Sequence, residues 1–212
     1  FLVKAMVKLV EEEGCDLDVV SGGELAFARA AGFPARRIHF AGNNKSAEEL
    51  ELAVKESIGH IDVDNLPELG MLIKIAGQRK ATVLLRLNPG VDPHTHQYNT
   101  TGIADSKFGL PKADWDEAVK TALAAKNLIV DGIHFHVGSG LFEYEPYIKA
   151  MDEVLAYAAA IRDKYGFKLN LLSIGGGFGA QYETGKEPPT LAAFAEQIIN
   201  HLKNRCRELK LD

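Results

Sequence analysis

Leu17-Asp18-Val19-Val20-Ser21-Gly22-Gly23-Glu24-Leu25 is the stretch on which the fold turns. Leu17–Val20 is a short β-branched run and reads as a strand. Ser21 then stands three residues before Glu24. At that spacing a serine hydroxyl accepts from the third helical amide while the glutamate folds back on the cap. A strand thus passes directly into a capped helix. The pattern recurs with Ser46 before Glu49, Asn65 before Glu68 and Asp114 before Glu117. Equivalent strand-end positions at Asp18, Phe40, Asp62 and Arg86 are spaced by 22, 22 and 24 residues, the length of one βα unit.

Outward from that stretch the same alternation runs along the chain. Strands are expected at Leu17–Val20, Arg37–Ala41, His60–Val63, Thr82–Leu87, Ile129–Val137 and Asn170–Ile174. Helices are expected at Gly23–Ala31, Ala47–Glu56, Pro67–Gly77, Trp115–Ala125, Glu145–Lys164 and Leu191–Leu209. Alternating β and α with short connections implies a parallel sheet covered by helices. The steady step and the polar strand ends favour a closed barrel over an open sheet, because barrel sites gather residues from many strand ends. The expected class is therefore α/β, an incomplete (β/α)8 TIM barrel with six βα units, forming one domain over residues 1–212. Six units fall two short of eight, and a full barrel takes roughly 250 residues. Six parallel strands would leave two sheet edges, so pairing between copies or cover by a terminal helix is expected.

Composition narrows the function classes. The 212 residues are 46% hydrophobic and 25% charged, an ordinary globular balance. The net charge of -5, without a basic tract, argues against nucleic acid or an anionic membrane as partner. No apolar run is long enough for a membrane span, and no signal peptide is visible. Cys15 and Cys206 make no disulfide framework; Cys15 reads as a packed thiol, and the chain reads as cytoplasmic. It opens at Phe1 inside an amphipathic run, which suggests a fragment.

Two long loops interrupt the alternation, Asn88–Asp114 and Gly175–Thr190, and loops of that length in a compact α/β domain are usually functional. The strongest local signal opens the second: Ser173-Ile174-Gly175-Gly176-Gly177-Phe178-Gly179. Consecutive glycines let bare backbone N–H groups approach an anion such as phosphate; a flexible turn is the plainer reading. Gly175, Gly177 and Ala180 also match a dinucleotide pattern, but a polar loop with two prolines follows where a helix should open. Gly132-Ile133-His134-Phe135-His136-Val137-Gly138-Ser139-Gly140 is the second signal. His134 and His136 alternate on one strand and share a face. They could be two metal ligands, although no Asp or Cys cluster completes a set. A buried, hydrogen-bonded imidazole suits His134. Beside Gly138-Ser139-Gly140, His136 suits a mouth position where its ring lies against a planar ligand and Ser139 reaches an anion. Asp18 and Arg86 close strands, where a charge is either functional or simply solvated. Glu24 reads most simply as a cap, Trp115 as packing, and Lys4 as a surface lysine on a helical run.

Taken together and in order, Asp18-Val19-Val20-Ser21-Gly22-Gly23-Glu24-Leu25, Gly42-Asn43-Asn44-Lys45-Ser46, Arg86-Leu87-Asn88-Pro89, Thr101-Gly102 with Ser106-Lys107-Phe108-Gly109, His136-Val137-Gly138-Ser139 and Gly175-Gly176-Gly177-Phe178 resemble the barrel domain of the fold-III pyridoxal-phosphate-dependent decarboxylases. The resemblance covers essentially the whole chain. Within the diaminopimelate, ornithine and arginine decarboxylase group it is nearest to the diaminopimelate branch, which serves lysine biosynthesis. It implies a barrel of the alanine racemase-like type and pyridoxal 5′-phosphate as cofactor. It likens Gly175, Gly176, Gly177 and Ser139 to the cofactor phosphate site and His136 to the imidazole stacked on the pyridine ring. Asp18, Glu24 and Arg86 resemble polar groups lining or supporting that pocket, so His136, Asp18 and Arg86 are the candidate catalytic residues.

The family's Schiff-base lysine stands about nineteen residues ahead of the position matched by Asp18, which places it upstream of Phe1. Lys4, only 14 residues ahead, does not match it. The resemblance thus implies decarboxylation of meso-diaminopimelate to lysine by the intact protein as a homodimer, with no turnover by this fragment, which would lack the first strand, the last strand and a C-terminal β domain. Three alternatives stay open: a decarboxylase for ornithine, arginine or carboxynorspermidine, a non-catalytic regulatory homologue, and a metal-dependent barrel hydrolase using His134 and His136.

Overall fold

The computed structural model describes residues 2–91, 108–181 and 189–211. His94-Thr95-His96, Thr101-Gly102, Ser106-Lys107 and residues 182–188 of the second long loop lie outside the described residues. Six strands form one sheet whose order follows the chain, β1-β2-β3-β4-β5-β6, interleaved with helices as an incomplete α/β barrel. The chain divides into two compact units, Phe1–Arg86 with Phe108–Asp131, and Leu87–Lys107 with Gly132–Asp212.

The first unit opens with α1 (Leu2–Glu12), which carries an exposed Lys4. Then follow β1 (Leu17–Val19), α2 (Gly22–Ala30), β2 (Ile38–Phe40), α3 (Ala47–Glu56), β3 (His60–Val63), α4 (Leu66–Ala76), β4 (Ala81–Arg86) and, after Phe108, α5 (Trp115–Ala124). Strands β1 to β4 are parallel, with Val19 opposite Phe40, Phe40 opposite Ile61 and Ile61 opposite Val83. Side chains alternate across a strand, so these four share one face, and all are buried. The register on the other face pairs Asp18 with His39, His39 with His60, and Asp62 with Leu84. A parallel sheet covered on both sides would be apolar on both. Over β1–β4 one face is apolar, while the other carries Asp18, His39, His60, Asp62 and Arg86 with the buried Leu84 among them.

The capping signals divide when seen in three dimensions. Ser46 and Glu49 close the full reciprocal box at the start of α3. Ser21 and Asn65 each accept from the expected amide, Glu24 N and Glu68 N. Their glutamates go elsewhere: Glu24 Oε2 accepts from Val20 N at 2.7 Å, and Glu68 pairs with Lys45. Asp114 makes no capping bond, because Lys112–Asp114 is a 3-10 turn that leaves Asp114 at φ -98, ψ -7, away from the extended geometry a cap requires. The same kind of turn at Ala35–Arg37 delays β2 by one residue from its expected start. Cys15 is exposed rather than packed, because it lies in the turn between α1 and β1. Trp115 is buried as expected and donates from Nε1 to Leu110 O at 2.8 Å.

In the second unit, β5 (Leu128–His134), which begins in the first unit, pairs in parallel with β6 (Leu171–Ser173). Between them in sequence lies α6 (Glu145–Tyr165), and α7 (Leu191–Leu209) packs against α6. Tyr147, Ala150, Met151, Val154, Leu155, Ala158 and Ile161 of α6 are buried, as are Phe194 and Ile198 of α7. Asp152 ties the two helices together, pairing with His201 at 2.9 Å and Arg205 at 3.2 Å. Gly166 ends α6 at φ +68, the left-handed position that glycine adopts without cost.

Candidate functional site

The second unit carries a site made largely of backbone. β6 ends at Ser173 and the chain turns at once into Gly175-Gly176-Gly177. Gly175 has φ +68 and Gly177 φ +98, conformations that side chains disfavour. Both also lie too close to their neighbours for a side chain. A Cβ on Gly175 would come within 2.6 Å of His136 Nδ1 and 2.9 Å of Phe135 O. A Cβ on Gly177 would overlap the Gly138 carbonyl oxygen and stand 3.3 Å from His136 Cε1. The His136 imidazole therefore lies directly against the glycine backbone. Gly176 differs: a Cβ there would meet nothing within 4 Å, so the loop is open to solvent at its centre. A backbone turn open on one side, with an imidazole against its flank, suits a flat group bearing an anion. The residues present fit a phosphorylated planar cofactor on that ground.

Sequence reasoning placed His136 and the triplet together, and the structure does bring them together. Ser139 lies three residues beyond His136, exposed, between Gly138 at φ +139 and Gly140 at φ +72. His134 Nδ1 bonds Ser173 Oγ at 2.9 Å, the buried and hydrogen-bonded reading. Among the described residues no three His, Cys, Asp or Glu side chains are grouped to hold a metal. Tyr147, which sequence reasoning did not single out, is wholly buried on α6 and donates from its hydroxyl to Gly176 O at 2.8 Å. Its ring stacks on Phe178 at 5.4 Å and meets Phe194 edge-on at 6.3 Å. Burial pushes its phenol up to about 12, so it remains a donor at any physiological pH.

The first unit carries a site made of charges. Arg86 Nη1 pairs with Asp64 Oδ1 at 2.8 Å, and Asp64 Oδ2 accepts from Gly109 N at 3.1 Å. The guanidinium lies 5.4 Å from the centre of the Phe108 ring. Arg86 is thus held between a carboxylate and an aromatic face, and the 108–110 turn is pinned to β4 by Leu110 N donating to Arg86 O. Lys45 is the other cation here and is more deeply enclosed, its side chain 1% exposed. Its ammonium donates to Gly42 O at 2.5 Å and Asp62 O at 2.8 Å, and lies 2.9 Å from Glu68 Oε1. Burial pushes both Asp62 and Glu68 up to about 7, against the pull of Lys45. Asp18 does not close its strand as expected: it is the middle residue of β1 and exposed; desolvation by its neighbours raises its carboxyl, and His39 draws it back. Glu24 stays at the N-terminus of α2, bound to Val20 N. Asp64 was not singled out from sequence, Glu68 was read only as a capping partner of Asn65, and Lys45 was given no role of its own. The available signal was the position of Lys45 inside Gly42-Asn43-Asn44-Lys45-Ser46, just before a helix.

Comparison with known proteins shows the family. Residues 1–211 match the family described as pyridoxal-dependent decarboxylase, pyridoxal binding domain. Diaminopimelate decarboxylase of Bacillus subtilis is 43% identical over 212 residues, covering 98% of this chain and 48% of the relative. Among solved structures, diaminopimelate decarboxylase from M. jannaschii in complex with L-lysine superposes with a TM-score of 0.85 at 34% identity, over 95% of this chain and 47% of that one. The Helicobacter pylori enzyme complexed with L-lysine gives 0.84 at 34% identity, over 94% and 51%. The chain spans about half the length of the curated relatives it matches.

Proposed function

Since the chain belongs to the pyridoxal-dependent decarboxylases, as their pyridoxal-binding domain, we propose that the complete protein decarboxylates meso-diaminopimelate to lysine. The observation that carries the reading is the His136 ring set against Gly175 and Gly177, at a turn open over Gly176. The substrate rests on the name shared by relatives at 36% to 43% identity.

Pyridoxal 5′-phosphate, when bound, supplies the electron sink for the pair left at the substrate α-carbon as carbon dioxide departs. The chain's own residues bind and orient. Backbone amides of Gly175, Gly176 and Gly177, with the Ser139 hydroxyl, hold the phosphate, since closely spaced N–H groups favour an anion. His136 supports the ring from one face. Asp18, Glu24 and Arg86 serve the reaction as polar supports. Arg86 arrives with its orientation set, because Asp64 and Phe108 leave the guanidinium little freedom. Holding a ligand at two separate points fixes the angle of its reacting bond, and that orientation lowers the barrier. The assignment carries with it a cytoplasmic homodimer; among the described residues no helix is long and apolar enough to cross a membrane.

The test is release of carbon dioxide by the complete protein, offered meso-diaminopimelate, ornithine, arginine and carboxynorspermidine in parallel. Turnover fastest on meso-diaminopimelate is expected. Turnover of one of the others instead would reassign the substrate, and inertness toward all four would favour a non-catalytic homologue. Sedimentation of the complete protein at twice the chain mass is the matching expectation for the dimer.

A further inference from the structure

The hydroxyl of Tyr147 reaches Gly176 O from a helix 29 residues away in sequence, and nothing in the catalytic reading uses it. A trans peptide is planar, with its C=O and N–H pointing in opposite directions. The described backbone has no cis peptide bond. When Tyr147 draws the Gly176 carbonyl toward α6, the N–H of the same peptide, on Gly177, is turned the other way. The next peptide is fixed in the same manner: Leu141 N donates to Gly177 O at 2.9 Å, which turns the N–H of Phe178 away from Leu141. Two successive carbonyls of the glycine turn are therefore engaged by the body of the unit, and each engagement sets the direction of the following amide. Glycine has no side chain to fix its own peptide planes, so the turn depends on such outside bonds.

Tyr147 is built to hold that orientation. Its ring is wholly buried between Phe178, stacked at 5.4 Å, and Phe194, edge-on at 6.3 Å. Those two rings also meet each other at 5.5 Å. A phenol gripped in this way has one hydroxyl position, and at that position the acceptor is Gly176 O. We propose that Tyr147 is a positioning residue for the phosphate-binding turn: its hydroxyl holds the Gly176–Gly177 peptide so that the Gly177 N–H faces an incoming phosphate. The proposal rests on the phosphate assignment made above and adds to it the group that aims the turn.

The test separates phosphate recognition from the rest of binding and from stability. The 212-residue chain is titrated calorimetrically with pyridoxamine 5′-phosphate and with pyridoxamine, neither of which has an aldehyde to react with lysines. The wild type is expected to favour the phosphorylated probe. Tyr147→Phe and Tyr147→Met, two variants lacking the hydroxyl, are expected to weaken that probe by about five- to tenfold, the loss of one oriented hydrogen bond, and to leave pyridoxamine unchanged. Phe194→Leu, which loosens the same aromatic cluster but keeps the hydroxyl, should lower the melting temperature and keep the preference for phosphate. Equal preference in the wild type and the two Tyr147 variants would overturn the positioning role and leave the phosphate site standing. A matching loss of preference in Phe194→Leu would overturn it too, by making packing the cause. A wild type with no preference for phosphate would remove the site, and the proposal with it.

Discussion

The turn at Gly175–Gly177 and the Lys45 cluster are built on opposite plans. The turn has no side chains; its chemistry lies in amide direction, fixed by the Tyr147 hydroxyl, the Leu141 amide and the flank of His136. The cluster carries its charges on side chains, with an ammonium, two carboxyls and an arginine–carboxylate pair taken largely out of water. The turn is limited by volume and the cluster by charge balance. Each should therefore break under a change that the other would tolerate.

The largest effect is expected at Gly177→Ala. Its Cβ would occupy the space of a backbone carbonyl at a φ of +98, so the turn must move. A loss of about 4 kcal/mol or more is expected, read as a fall in melting temperature, together with loss of pyridoxamine 5′-phosphate binding. A well-folded variant that still binds would show that volume does not govern this turn. Next comes Lys45→Met, nearly isosteric but uncharged. It leaves Glu68, 4% exposed, without its cation, at a cost of about 3 kcal/mol at pH 8. The cost should shrink at pH 5, where Glu68 takes up a proton. A pH-independent loss would point to packing instead.

Asp62→Asn sharpens the same side. The folded carboxyl is raised from 3.8 to about 7, so its ionised form is disfavoured by folding. The contribution of Asp62 is fully present below the unfolded pKa of 3.8 and is lost as pH rises through 7. The variant should match the wild type near pH 3.5 and exceed it by about 2 kcal/mol at pH 8, as judged by urea midpoints at the two pH values. The smallest effects concern the helix ends. Ser46→Ala should cost about 1 kcal/mol and Asp114→Ala less than about 0.5 kcal/mol, because only the first makes a capping bond.

Those two caps also show how far the sequence could be read. Hydrophobic period and cap spacing located α3, α7 and β3 to the residue, because each depends on a local pattern. Asp114 has the right spacing but fails as a cap, because a 3-10 turn before it sets its backbone angles. At Glu68 the local signal was half right: the backbone amide is capped as expected, while the side chain is drawn off by a lysine 23 residues upstream. The glycine turn and His136 were legible because their residue types are unusual where they stand. Lys45 and Tyr147 were not. A lysine before a helix is ordinarily solvated, and a tyrosine on an apolar helix face is ordinarily core. What makes them different is an acceptor brought near by the fold, Asp62 O and Gly176 O, which no local pattern announces.

The central claim is that the glycine backbone and the His136 ring together receive a phosphorylated ring. Amide and imidazole NMR shifts of the isotope-labelled chain, followed as pyridoxamine 5′-phosphate is added, test it most directly. The amides of Gly175, Gly176 and Gly177 should move in step with the His136 ring protons along one saturating curve. If those signals stay still while resonances elsewhere in the chain respond, the claim is contradicted.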